Sequence, residues 1–171
     1  KNLAPFNYRY RITYYDGVVH TINDPYRFLP VLSEQDRYLF NFGTNYELYK
    51  HMGAHPGTYS HIKGTIFRVW APSASRVSLL GNFNGWDGRV HPMRNLGSSG
   101  IWELFLPGIG ENELYKFEIR TQRGELLIKS DPFQFYGELR PKTASAVRYL
   151  DHYEWHDQQW QELKKNNSPY D

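Results

Sequence analysis

Between residues 65 and 120 apolar side chains recur at every second position, a rhythm that only an extended strand with one face in a core can use. In Thr65-Ile-Phe-Arg-Val-Trp-Ala71 one face carries Phe67, Val69 and Ala71, and in Arg76-Val-Ser-Leu-Leu80 it carries Val77 and Leu79. Ile101-Trp-Glu-Leu-Phe-Leu106 groups Trp102, Leu104 and Leu106. Leu114-Tyr-Lys-Phe-Glu-Ile-Arg120 separates Tyr115, Phe117 and Ile119 from Lys116, Glu118 and Arg120, and the second set is expected to face water. Turn chemistry punctuates the runs at Ala71-Pro72-Ser73, Asn84-Gly85, Asp87-Gly88, Pro107-Gly108 and Arg123-Gly124. Short strands at this spacing predict an all-β, immunoglobulin-like sandwich. Helical signals are confined to a capped turn at Ser33-Glu-Gln-Asp36 and to Gln158–Lys165.

An internal repeat adds to this. Tyr10-Arg-Ile-Thr-Tyr-Tyr-Asp-Gly17 followed by Asp24-Pro-Tyr-Arg-Phe28 parallels Tyr115-Lys-Phe-Glu-Ile-Arg-Thr-Gln-Arg-Gly124 followed by Asp131-Pro-Phe-Gln-Phe135. Each reads as a hairpin closing on Asp-Pro-aromatic-x-Phe. The expected division is 1–30 as the carboxy-terminal remnant of a preceding sandwich, 31–56 as a connecting segment with short helices, 57–150 as the main sandwich and 151–171 as a linker.

Composition removes several function classes. The 20 basic and 18 acidic residues are spread along the chain without a like-charged block, so neither nucleic acid nor an acidic membrane surface is an expected partner. No apolar run approaches the roughly 18 residues of a membrane span, and without cysteine there is no disulfide, thiolate metal site or Cys nucleophile. Phosphate loops, HExxH and Gly-x-Ser-x-Gly are absent. His152 and His156 have the spacing of a helical metal pair but lack a third ligand, so no metal and no cofactor is expected. Asn166-Asn167-Ser168 fits a glycosylation sequon. Glu103, Glu118, Glu125 and Asp131 read as solvated strand charges, not as a glycosidase pair. No catalytic residue is assigned.

Gly81-Asn-Phe-Asn-Gly-Trp-Asp-Gly88 resists a purely structural reading. Trp86 stands between two turn dipeptides, on a loop where an indole can either stack on the apolar face of a pyranose or fold back on the sandwich end.

At this point the residues resemble a known family. Gly64-Thr-Ile-Phe-Arg-Val-Trp-Ala-Pro72, Arg76–Gly88, His91-Pro-Met-Arg94, Gly100-Ile-Trp-Glu-Leu-Phe105 and Leu114-Tyr-Lys-Phe-Glu118 are similar to the family-48 carbohydrate-binding module of bacterial 1,4-α-glucan branching enzymes. Asp24–Phe28, Gly53-Ala-His-Pro56, Lys129–Pro132 and Arg140–Ser145 continue the likeness. The resemblance implies a cytoplasmic enzyme of glycogen synthesis that moves α-1,4 chain segments to α-1,6 branch points with an amylase-type barrel lying carboxy-terminal to this segment, which would itself be inactive. It implies weak binding of α-glucan (glycogen, maltooligosaccharide) and contact with that barrel as partner. Related modules, such as the glycogen-binding domain of the AMP-activated kinase β subunit, stack glucose on the Trp matched by Trp86 and bind it with the Lys matched by Lys116. Their second stacking Trp falls at Leu127 and Ile128, and their sugar-binding Asn at Ser145. The expected carbohydrate-binding residues are therefore Trp86, Lys116, Asn84 and Ser145. The competing expectation is a docking domain without sugar binding, with Trp86 or Trp102 buried against the barrel.

Overall fold

The computed structural model describes residues 7–150 and 154–166. It opens on a hairpin of β1 (Tyr10–Thr13) and β2 (Val19–Ile22), followed by α1 (Glu34–Asn41). Ser33 caps α1 as expected: its hydroxyl accepts the Asp36 amide while the Asp36 carboxylate takes the Ser33 amide. Then come β3 (Gly53–Tyr59), β4 (Ile62–Trp70), β5 (Ala74–Gly81), β6 (Arg94–Asn95), β7 (Ile101–Pro107), β8 (Leu114–Thr121), β9 (Leu126–Lys129), β10 (Tyr136–Gly137), β11 (Ser145–Ala146) and α2 (Gln158–Asn166). All strand pairings are antiparallel. One sheet has the order β3-β4-β7-β6; the other runs β10-β11-β8-β5, with β9 also on β8.

The alternating side chains meet where the rhythm places them. Phe67, Val69, Ala71, Trp102, Leu104 and Leu106 of one sheet bury against Val77, Leu79, Tyr115 and Phe117 of the other, forming the core of an immunoglobulin-like β-sandwich. Trp102 belongs to this core, its indole N–H donating to the Ala71 carbonyl at 3.0 Å, so it is not available to another domain. β3 begins at Gly53, ahead of the division expected at residue 57, because Gly53–Pro56 pair with Thr65–Arg68.

The opposite face of β4 and β7 is also dry. Residues 24–52 lie across it, with Phe28 edge-on to Phe105 at 4.6 Å and Tyr59 also edge-on to Phe105 at 5.1 Å. Leu32, Met52, Leu96 and Ile101 form a second cluster beside them. Glu103 is 4% exposed and Arg68 likewise buried, correcting the expectation that such strand charges are solvated. Glu103 accepts from Arg68 Nε at 2.7 Å and from the Val31 and Leu32 amides, while Arg68 also donates to the His51 carbonyl. Two points of the covering segment, Val31–Leu32 and His51, are thus tied to one buried ion pair.

Asp131 is corrected in the same sense. It is 2% exposed and accepts the Tyr115 hydroxyl at 2.6 Å and the Phe133 amide at 2.8 Å. The repeat partner does the same: Asp24 accepts the Tyr10 hydroxyl at 3.3 Å and the Tyr26 amide at 2.9 Å, and Tyr8 as well. The repeated residues therefore build one device twice, a hairpin whose first strand is latched by a Tyr to the Asp that follows its second strand.

Candidate carbohydrate-binding surface

The loop after β5 turns because Gly85 and Trp86 both adopt left-handed backbone, at φ of 61° and 60°. Gly85 does so freely; for Trp86 the conformation is strained. Strain of this kind persists where the surroundings over-determine it, and here they do. The Trp86 amide donates to the Gly81 carbonyl at 2.9 Å, and the indole N–H donates to Asn82 Oδ1 at 2.9 Å. Phe83, not Trp86, folds back on the sandwich end, reaching Phe67 and His91 with ring centroids 6.4 and 5.7 Å away. Trp86 is left 39% exposed with its ring oriented by Asn82.

Asn84 is the frame of this loop. Its Oδ1 accepts the Gly81 amide at 3.0 Å, and its amide nitrogen donates to the Leu79 carbonyl and to His91 Nδ1 at 3.0 Å. These bonds engage both ends of its side chain and fix His91 as the tautomer carrying its proton on Nε2. Burial holds His91 below its ordinary 6.5. Asp87 is held at about 2 by hydrogen bonds from the Arg89 guanidinium and amide, which pin the next turn.

The strand register brings Lys116 to the same region. Leu80 pairs with Lys116 and Gly81 with Tyr115, so the loop leaves β5 beside Lys116. A Cβ on Gly88 would lie 2.4 Å from Glu118 Oε1, which places the returning loop against the outward carboxylate two residues along. Glu118 is held by Arg76 at 2.7 Å. Lys116 Nζ donates to Thr143 Oγ1 at 2.7 Å. Ile128 pairs with Glu118 and shares the outward face, whereas Leu127 pairs with Ile119 on the other side of the strand and is still 40% exposed.

Ser145 does not join this surface. It is fully buried in β11, and its hydroxyl accepts the Asp131 amide and donates to Gln134 Oε1. Sequence reasoning missed Asn82, whose spacing of four from Trp86 was the available signal, and Thr143, which had none. The metal question is narrower: His152 lies outside the described residues, as do Asn167 and Ser168 of the sequon, and among the described residues no three His, Asp or Glu gather as a metal site.

The pattern defining carbohydrate-binding module 48 (isoamylase N-terminal domain) matches residues 51–134. The 1,4-alpha-glucan branching enzyme GlgB of Protochlamydia amoebophila is 51% identical over 156 residues, 91% of this chain and 21% of its own. That of Rubrobacter xylanophilus is 49% identical over 164 residues, 95% and 22%, and that of Myxococcus xanthus 51% over 160 residues, 93% and 22%. The chain spans about a fifth of the length of the curated relatives it matches. Residues 51–134 belong to the carbohydrate-binding module 48 family, set in a segment shared over nearly its whole length with 1,4-alpha-glucan branching enzymes.

Proposed function

We propose that this segment is a non-catalytic α-glucan-binding and positioning module of a 1,4-α-glucan branching enzyme, gripping its substrate weakly through Trp86 and Lys116. The observation that carries the reading is the Trp86 indole: strained in backbone, tethered at Nε1, and 39% exposed. A flat apolar ring held still stacks on a pyranose at little entropic cost. Lys116, oriented by Thr143, retains two further N–H donors for sugar hydroxyls. Asn84 supports the site without touching the ligand and Ser145 stands apart from it, since the polar atoms of both are engaged inside the protein. Ile128 stands where a second stacking ring would serve, so the grip is half of what a full site offers. One stack and one charged hydrogen bond correspond to roughly millimolar affinity.

The positioning half of the reading is supported by the exposed rings of Tyr38, Phe42 and Trp70 at and beside α1, apolar surface that a further domain can cover. The latched hairpin of β1 and β2 supports residues 1–30 as the end of an earlier, related unit.

Isothermal titration with maltoheptaose tests the binding. Millimolar affinity is expected for the wild type, with at least a tenfold loss (about 1.4 kcal/mol) in Trp86→Ala and a smaller loss in Lys116→Ala. Equal affinity in all three proteins refutes the assignment.

A further inference from the structure

A second cleft opens beyond the far end of β11, with a volume of about 440 Å³ and walls formed by Tyr49, Lys50, His55, Phe135, Arg148 and Tyr149. It is separate from the Trp86 surface. Its lining includes neither Trp86 nor Lys116 nor Thr143.

Half of the lining is aromatic, and His55 and the two cations are held by their neighbours. His55 meets Phe135 edge-on at 5.5 Å, and its Nε2–H donates to the Met52 carbonyl at 2.8 Å, which leaves Nδ1 as an acceptor. Burial keeps His55 below its ordinary 6.5 and so neutral near pH 7. The cations are already neutralised: Lys50 Nζ sits 2.6 Å from Glu47, and Arg148 pairs with Glu111 at 3.5 Å while stacking over the Tyr136 ring at 4.6 Å. A site for a phosphate or carboxylate would leave such charges unspent. Here they offer N–H donors without net field, which suits a neutral polyol. Tyr49 and Tyr149 line the cleft and are 52% and 42% exposed, with Lys50 Nζ 5.9 Å from the centroid of the Tyr49 ring. Rings flanking a few oriented donors form the surface that takes the two-sided chemistry of a sugar, apolar on its ring face and hydroxylated at its rim.

We propose that this cleft is a second saccharide-binding site, stacking a glucosyl unit on Tyr49 or Tyr149 and hydrogen-bonding it through Lys50, His55 and Arg148. The choice of glucose as the sugar rests on the α-glucan reading of the Trp86 surface. A glucan long enough to reach both sites is held at two points, whereas a short oligosaccharide such as maltoheptaose fills each site independently.

The test is a maltoheptaose titration of the ¹⁵N-labelled protein followed by NMR, on the wild type, Trp86→Ala, Tyr149→Ala and Tyr49→Ala. The amides of Lys50, His55 and Arg148 are expected to shift in the wild type and equally in Trp86→Ala. Tyr149→Ala or Tyr49→Ala is expected to weaken those shifts about tenfold while the Trp86 indole signal still moves. Unchanged amides for Phe67 and Phe117 certify the fold of each variant. If the Trp86 indole moves and the cleft amides stay still, the second site is overturned and the first stands. If neither moves, both are overturned. Cleft shifts that survive both tyrosine substitutions likewise refute the assignment.

Discussion

Trp86 occupies a backbone conformation that disfavours any residue with a Cβ, by roughly 1 to 2 kcal/mol. Glycine escapes that penalty, so Trp86→Gly is expected to unfold at higher denaturant than Trp86→Ala, by about 1 kcal/mol, although both lose the ring. Equal midpoints would show that the loop relaxes out of the left-handed region. His91 carries a pH dependence into the same loop. Its neutral Nδ1 accepts from Asn84, and burial lowers its affinity for a proton. A base depressed in the folded state contributes stability that is complete above its ordinary 6.5 and is lost as pH falls through the folded value. Protonation turns Nδ1 into a donor facing the Asn84 amide. Glucan affinity measured by titration is therefore expected to be flat above about pH 6.5 and to fall below it, and His91→Gln to remove the decline. An unchanged decline in His91→Gln would place its origin elsewhere.

Among the elements, β4 and β7 depend on the Arg68–Glu103 pair, because it satisfies amides of the covering segment as well as each partner's charge. Glu103→Ala leaves Arg68 buried and unpaired and is expected to cost about 3 to 5 kcal/mol. Hydrogen exchange at the Val31 and Leu32 amides should quicken with it. Arg68→Met combined with Glu103→Leu should recover part of the loss, since no charge is then stranded; a double variant as unstable as the single would contradict this. The Tyr115–Asp131 latch predicts the opposite pH sign to His91. Burial raises Asp131 above its ordinary 3.8 despite the Tyr115 and Phe133 bonds. A carboxyl raised in the folded state stabilises most at pH below its unfolded value, and that contribution is lost as pH rises through the folded one. The stability of the wild type relative to Asp131→Asn is thus expected to decline as pH climbs from about 4. A difference that grows with pH would be evidence against it.

These elements also show what the sequence could reveal. The inner face of the sandwich was legible because strict alternation needs no knowledge of the partner sheet: Phe67, Val77, Leu104 and Phe117 all lie in the core. The outer face of β4 and β7 was not, because its cover comes from residues 24–52, which carry little period, and a buried Glu103 is written with the same letter as a solvated one. Asn84 and Ser145 illustrate the same limit at the site. Each belongs to a residue type that binds sugars and caps loops equally well, and only the hydrogen bonds of Asn84 to Gly81 and of Ser145 to Asp131 decide between the two. The loop position of Trp86 and the outward face of Lys116 were legible, because turn dipeptides flank the one and strict alternation sets the other opposite the core residues Tyr115 and Phe117.

Over the whole molecule, the sandwich core, the latched hairpins and the covering segment form a rigid mount for one loop and one outward strand face, and the described residues include no helix long and apolar enough to cross a membrane. On the proposed function, such a mount presents the Trp86 ring to a glucan chain. The most direct measurement follows the indole N–H resonance of Trp86, assigned by its loss in Trp86→Phe, while maltoheptaose is added. A saturable shift at millimolar sugar, with the buried Trp102 indole unmoved, is the result expected. A stationary Trp86 resonance up to tens of millimolar sugar would contradict the assignment of this surface to carbohydrate.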